Sequence, residues 1–294
     1  MNKIEIDASD LPGLYQAADQ ASLSAQSSYF WALRLYLILL VAAAYVSFSW
    51  PNDSLGAIAS AALFLITLGI LIALKVSRPD DLWYNGRAVA ESVKTRVWRF
   101  MMRAEPYNDS VSEEIEAKQF VSDLRAILDQ NRNLSKELGS SAGVKEAISP
   151  KMLQIRALQL QERIGVYKEQ RIQNQSNWYS VKSIWNKRRA RQWFWVSAGL
   201  HSAAILMLLY RIKDPSIGLP VEVIATAAGV VLTWLQAKKH NELNSSYALA
   251  AHEIMLIKGE ALSVHNEQEF SDFVLASESA FSREHTQWIA RKAE

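Results

Sequence analysis

The sequence predicts an all-α integral membrane protein. Three observations carry that reading: four long apolar runs, very short connections inside each pair of runs, and helical periodicity without a persuasive strand pattern elsewhere. The runs are Phe30 to Trp50, Leu55 to Val76, Trp193 to Tyr210 and Ile217 to Ala237. Each is 18 to 22 residues long, which at about 1.5 Å of rise per residue matches a hydrocarbon core of roughly 30 Å. A soluble helix of that length would carry a polar face, and these carry little of one. "PNDS" and "RIKDPS" are the only links within the pairs, so each pair is expected to form a hairpin.

The remaining elements read as helices in order. "RPDD" after Ser77 places Pro79 in a first turn and Asp80 and Asp81 at the positive end of a helix dipole, starting a helix that runs to about Ala104. Ser110 and Glu113 stand at capping-box spacing before a helix whose Ala117, Phe120, Val121, Leu124, Ile127 and Leu128 share a face. "GSSAG" and Pro150 mark a linker, and a further helical stretch leads from Lys151 toward the third span. After the fourth span, an exit helix is expected over about Lys238 to Ser263. A return helix then carries Phe270, Phe273, Val274, Phe281, Trp288 and Ile289 on one face. One plan is thus used twice, in 30–138 and 151–294, with 1–29 as an N-terminal segment and 139–150 as the linker. Two hairpins of one orientation are related by an axis along the membrane normal, the symmetry of a ring around a pore.

Charge and composition narrow the function classes. A net charge of +2 on 294 residues does not mark a nucleic-acid binder, and the absence of cysteine removes disulfides, thiolate metal sites and thiol nucleophiles. The first 29 residues lack the basic start and early apolar core of a signal peptide, so the spans are expected to be retained. Lys75 and Arg78 follow the second span, Lys182 to Gln192 precedes the third, and Lys238 and Lys239 follow the fourth, which puts both termini on the cytoplasmic side. Arg211 and Lys213 in the second connection run against that bias. "HEIML" at His252 begins like a zinc-protease signature, but Leu256 stands where the second histidine belongs. No phosphate loop, nucleophile elbow or metal-ligand spacing is present, so neither catalysis nor a cofactor is expected.

Polar residues inside apolar spans mark the candidate site, because lipid tolerates them poorly. Glu222, Thr226, Gly229 and Thr233 form one stripe on the fourth span, and Ser60 and Thr67 on the second repeat the seven-residue separation of the two threonines. The stripes are candidate pore linings; the alternative is that hydroxyls bond back to their own helix and small residues mediate helix packing. Glu222 either faces a conduit, where a ring of carboxylates favours cations, or caps the helix start two residues after Pro220. His201, beside Ser202, is a candidate protonation gate or a neutral hydrogen-bonded residue between helices. Arg34, one turn inside the first span, is expected to snorkel toward the headgroups.

The aromatic, basic segment Leu82 to Tyr107 has two readings. Arg87, Arg96, Arg99 and Arg103 are candidate contacts to headgroups, a nucleotide or a partner protein. Alternatively Glu91 pairs with Arg87 and Lys94 while Trp83, Val89, Val93, Val97, Trp98 and Met101 pack inward, making a scaffold. Lys187, Arg188, Arg189 and Arg191 read as a topology signal with headgroup contact.

Three stretches carry a resemblance: "GRAVAESVKTRVWRFMMRAEPY", "QNQSNWYSVKSIWNKRRARQWFW" and "SREHTQWIARK". They resemble the SLATT family, two-transmembrane effectors associated with bacterial nucleotide-signalling systems, and the resemblance spans nearly the whole chain as two adjacent units. It implies a pore-forming effector of the bacterial inner membrane that arrests or kills a phage-infected cell, assembling as a homo-oligomer on the lipid bilayer. It also implies a sensor protein or nucleotide second messenger as trigger, with no direct nucleic-acid contact. The alternative is a non-conducting scaffold that anchors such a sensor; a secondary transporter lacks an evident discontinuous-helix site.

Overall fold

A computed structural model describes residues 5–108, 112–134 and 146–293, with side chains placed as far as Ser282, Asn133 excepted. Every regular element among the described residues is a helix. The principal ones are α1 (Gly13–Ser49), α2 (Ser54–Ser77), α3 (Pro79–Met101), α4 (Glu113–Gln130), α5 (Pro150–Arg156), α6 (Leu160–Tyr167), α7 (Asn174–Lys213), α8 (Val221–Lys238), α9 (His240–Glu260) and α10 (Glu267–Ala293). Four stretches of helix are long and apolar enough to cross a membrane, and they cover the four runs read from the sequence apart from Trp50 and residues 217–220.

Local chemistry sets the helix ends. The Asp53 carboxylate accepts from the Leu55 N–H and starts α2. Arg78 ends it in the left-handed conformation at φ 43°, its N–H returning to the Leu74 carbonyl. The end of α8 repeats this device: Lys239 sits at φ 48° and returns its N–H to Leu235. A left-handed cation after each of these helices is the firmest trace of the plan used twice.

Several boundaries differ from expectation, each for a local reason. Helix α3 stops at Met101 instead of Ala104 because Arg103 turns left-handed at φ 52°. The cap of α4 is Ser112, whose Oγ accepts from the Ile115 N–H; Ser110 lies outside the described residues, as does most of the expected linker. The stretch after Lys151 is broken. Helix α5 ends at Arg156, and a reciprocal Gln159–Glu162 capping box restarts the chain as α6. A π-helical turn, Lys168–Gln173, then leads into α7. The expected exit helix divides into α9 and a 3-10 turn, Ala261–Ser263.

The chain divides into two compact units that each draw on distant parts of the sequence. The first comprises Met1–Gln26, Pro79–Tyr179 and Leu249–Glu294. Its core is built on α3, whose Val89, Val93, Val97, Trp98 and Met101 are buried as the sequence reading expects, with Phe100 buried in addition and Trp83 only half-buried. Phe100 stacks on Phe120 of α4 at 4.7 Å, and Tyr167 of α6 meets Phe270 and Phe273 of α10 edge-on. At Gly86, α3 passes close to α1: a Cβ there would lie 3.0 Å from the Ala18 carbonyl oxygen and 3.2 Å from Ser22. Trp288 and Ile289 lie outside the described side chains.

The second unit comprises Ser27–Arg78 and Ser180–Ala248 and holds the four apolar runs. Helix α1 contacts α2 through Ser47 and Ser60, and contacts α8 through Phe30 and Trp234, whose rings are 5.9 Å apart. Trp193 of α7 reaches the other side of Trp234 at 6.3 Å. Arg34 lies over the Trp234 ring and Lys238 over Phe30, two cation–π contacts.

Candidate functional site

The two polar stripes sit in different surroundings. Ser60 and Thr67 are buried within the second unit. Ser60 Oγ lies 3.0 Å from Ser47 Oγ and donates to the Ala43 carbonyl, and Thr67 Oγ1 donates to the Phe64 carbonyl at 2.8 Å. On α8, Thr226 donates to the Glu222 carbonyl and Thr233 to the Gly229 carbonyl, each bonding back one turn. Glu222, Gly229 and Thr233 are exposed, Thr226 is half-exposed, and nothing lies within 4 Å of a Cβ built on Gly229. The hydroxyl of each threonine still has lone pairs to offer on that open face.

At one end of this stripe the Glu222 carboxylate is 3.4 Å from Arg211 Nη1 at the end of α7, an exposed pair of little energetic weight. His201 on α7 is exposed, and its Nδ1 lies 2.8 Å from the Ser197 carbonyl one turn earlier. Gly229 and the stripe therefore form an open polar strip on a helix whose other flank, Val221, Val223, Ala228 and Val231, is buried.

The basic residues of α3, and Arg103 just after it, are engaged inside the first unit. Arg87 meets Glu91 at 2.6 Å and Asp19 at 3.2 Å; burial works against its charge, but those two carboxylates outweigh it and hold its pKa above the ordinary value. Lys94 is shifted the other way: burial pulls its pKa down more strongly than Glu91 restores it. Arg96 reaches Asp123 at 3.7 Å, Arg99 donates to Ser279 Oγ, and Arg103 Nε donates to the Arg156 carbonyl. By contrast Lys187, Arg188, Arg189 and Arg191 on α7 are all exposed, with Arg189 lying over the Trp185 ring.

A second feature of the first unit is a set of fully buried arginines, Arg156, Arg163 and Arg171. Arg156 donates to the carbonyls of Phe100 and Tyr107, and Arg163 donates to the carbonyl of Met102 and to Glu267. Two guanidinium groups thus collect carbonyls where α3 terminates, at the negative end of its dipole. Arg171 makes a two-pronged pair with Glu278 of α10, both bonds 2.8 Å, and Tyr167 Oη donates to the same carboxylate at 3.0 Å. Glu278 holds the Arg171 charge against its burial and, together with burial, pushes the Tyr167 phenol well up. The sequence does contain a signal for this set. Arg156, Arg163 and Arg171 recur at intervals of seven and eight among Met152, Ile155, Ile164, Tyr167 and Ile172, all buried. Among the described residues no group of His, Asp or Glu side chains is arranged to hold a metal ion.

Comparison with known proteins places the chain. The model of SMODS and SLOG-associating 2TM effector domain 3 matches residues 12–164, and that of SMODS and SLOG-associating 2TM effector domain 1 matches residues 167–288. No curated protein and no solved structure matches. The matches meet inside α6, and each compact unit draws residues from both. With four membrane-length helices and two such domains in tandem, the chain is a multi-pass membrane effector protein and belongs to the SLATT family.

Proposed function

We propose that this protein is a pore-forming effector that assembles as a homo-oligomer in the bacterial inner membrane and permeabilises it when a sensor protein or nucleotide signal is received. The observation that carries the reading is the open polar strip Glu222–Thr226–Gly229–Thr233 on α8. Lipid is a poor solvent for such a strip, and copies of the chain arranged with α8 inward would give it water instead. Four spans are too few to enclose a wide aqueous conduit, so the reading requires several copies. A ring of Glu222 carboxylates at the end of that conduit would favour cations, with Arg211 beside each carboxylate moderating the field. Both termini lie on the cytoplasmic side in this arrangement, following the cations that flank the spans. The action needs no catalysis and no cofactor.

The test is ion flux from liposomes containing the purified chain, measured against empty liposomes and a Thr226→Leu, Thr233→Leu variant. Wild-type flux above the empty control, lost in the variant, is the expected result. Absence of flux after addition of the sensor partner and candidate nucleotides would favour a non-conducting membrane scaffold instead.

A further inference from the structure

Within the second unit, α7 and α9 flank an open groove of about 570 Å³ that the proposed pore does not use. It is lined by Lys187, Arg188, Arg191 and Phe194 of α7 and by Asn241 and Asn244 of α9. The walls are fixed by packing. Ser183 Oγ donates to the backbone carbonyl and side-chain oxygen of Asn244, at 3.2 and 3.0 Å, and His240 Nδ1 lies 2.7 Å from Asn186 Oδ1. The left-handed turn at Lys239 brings α9 into this position.

The lining has two parts. Three cations and two amides supply the polar part, Ile184, Ala190 and Phe194 supply an apolar part, no carboxylate lines the groove, and Glu242 beside Asn241 is not among the lining side chains. Among the described residues none of the three cations has an ion-pair partner, in contrast to the arginines of α3. Phe194, at the membrane end of the groove, is 58% exposed, and Trp195 beside it is 67% exposed. The cations lie two to seven residues before Trp193 or Phe194, which at about 1.5 Å per residue puts them within roughly 10 Å of the start of the third apolar run. Charged heads, amide donors and an exposed ring thus follow one another in the order that a phospholipid presents phosphate and acyl chain.

We infer that the α7–α9 groove is a binding site for the phosphate headgroup of an anionic phospholipid, with Lys187, Arg188 and Arg191 on the phosphate, Asn241 and Asn244 donating to its oxygens, and Phe194 against the acyl chain. The inference rests on the membrane-spanning reading of α7 and α8. A diphosphate lipid suits three cations better than a single phosphate does.

The experiment uses the full chain in nanodiscs of phosphatidylcholine carrying a minority of cardiolipin or phosphatidylglycerol, with lipid retained on the protein counted by native mass spectrometry. Wild type should retain the acidic lipid, cardiolipin above phosphatidylglycerol. Lys187→Gln, Arg188→Gln, Arg191→Gln should lose about a hundredfold in apparent affinity, at about fivefold per cation. Asn241→Glu, which leaves every cation and hence the topology signal in place, should lose about tenfold, one neutralised cation together with one lost donor. Insertion with equal lipid retention in wild type and both variants would overturn the groove assignment alone. Failure of wild type to insert would overturn the membrane reading and the groove with it. Displacement of the retained lipid by soluble ATP at similar affinity would overturn the lipid as occupant and assign the groove to a soluble phosphate compound.

Discussion

The two compact units solve the problem of burial in opposite ways. In the first unit Val93, Val97, Phe100, Met101, Phe120 and Val274 are completely buried, and the charges that accompany them, Arg171 and Glu278 above all, are paired. In the second unit Ile58, Leu65 and Leu206 are 64 to 68% exposed, while Ser60 and Thr67 are 7% and 4% exposed. An aqueous protein does not leave long apolar helices uncovered, so the second unit is built for a different solvent. The comparison also isolates the strip on α8. The second unit leaves that strip open while it turns Ser60 and Thr67 inward.

Substitutions that reverse the solvent logic should break the comparison most severely. Glu278→Leu leaves Arg171 buried without its carboxylate and should destabilise the protein by about 3–5 kcal/mol, whereas Arg171→Met, Glu278→Leu together should recover most of that loss. Thermal unfolding of the detergent-solubilised protein reads both. Leu65→Lys should cost roughly 3 kcal/mol of membrane insertion, seen as loss from the membrane fraction. Leu128→Lys at the edge of the apolar face of α4, where the structure leaves Leu128 39% exposed although its spacing groups it with Phe120 and Leu124, should change stability by no more than about 0.5 kcal/mol.

A smaller loss is expected where α3 meets α1. Gly86→Ala forces a shift against the Ala18 carbonyl and Ser22 and should lower stability by about 1–3 kcal/mol in the same unfolding assay. The smallest effect is pH-dependent. Burial, then Lys238 and Arg189, hold the His240 pKa below its ordinary value, so the folded state binds this proton less readily than the unfolded chain. The contribution is therefore complete above about pH 6.5 and is lost as pH falls through and below that value. Hydrogen exchange at the start of α9 should rise on acidification in wild type and lose this dependence in His240→Gln.

How much of this was legible in the sequence depends on whether a feature is periodic or combinatorial. The four spans, the inward face of α3 and the Phe270–Phe273–Val274 face of α10 are periodic, and simple spacing found them. The SLATT resemblance was carried by local strings of residues. The buried arginines were not found, because an arginine on an apolar face reads as an exception until the carbonyls of Phe100 and Met102 are seen to end there. The cap of α4 is Ser112 where the sequence reading has Ser110, because the two serines stand two residues apart and spacing alone does not choose between them. On the candidate site, the sequence placed Ser60 and Thr67 beside Thr226 and Thr233 as one kind of residue. The fold separates them, since the first pair packs against or bonds within buried helix and the second pair stands open.

Because the chain contains no cysteine, single cysteines test the open strip without background. The most direct measurement is block of ion flux by a water-soluble thiol reagent in Thr226→Cys, Thr233→Cys and Leu65→Cys proteins reconstituted in liposomes. The account predicts labelling and block at Thr226 and Thr233, with Leu65 unreactive although it is 68% exposed within a single chain. Flux that persists with Thr226→Cys and Thr233→Cys as unreactive as Leu65→Cys would contradict a conduit lined by α8.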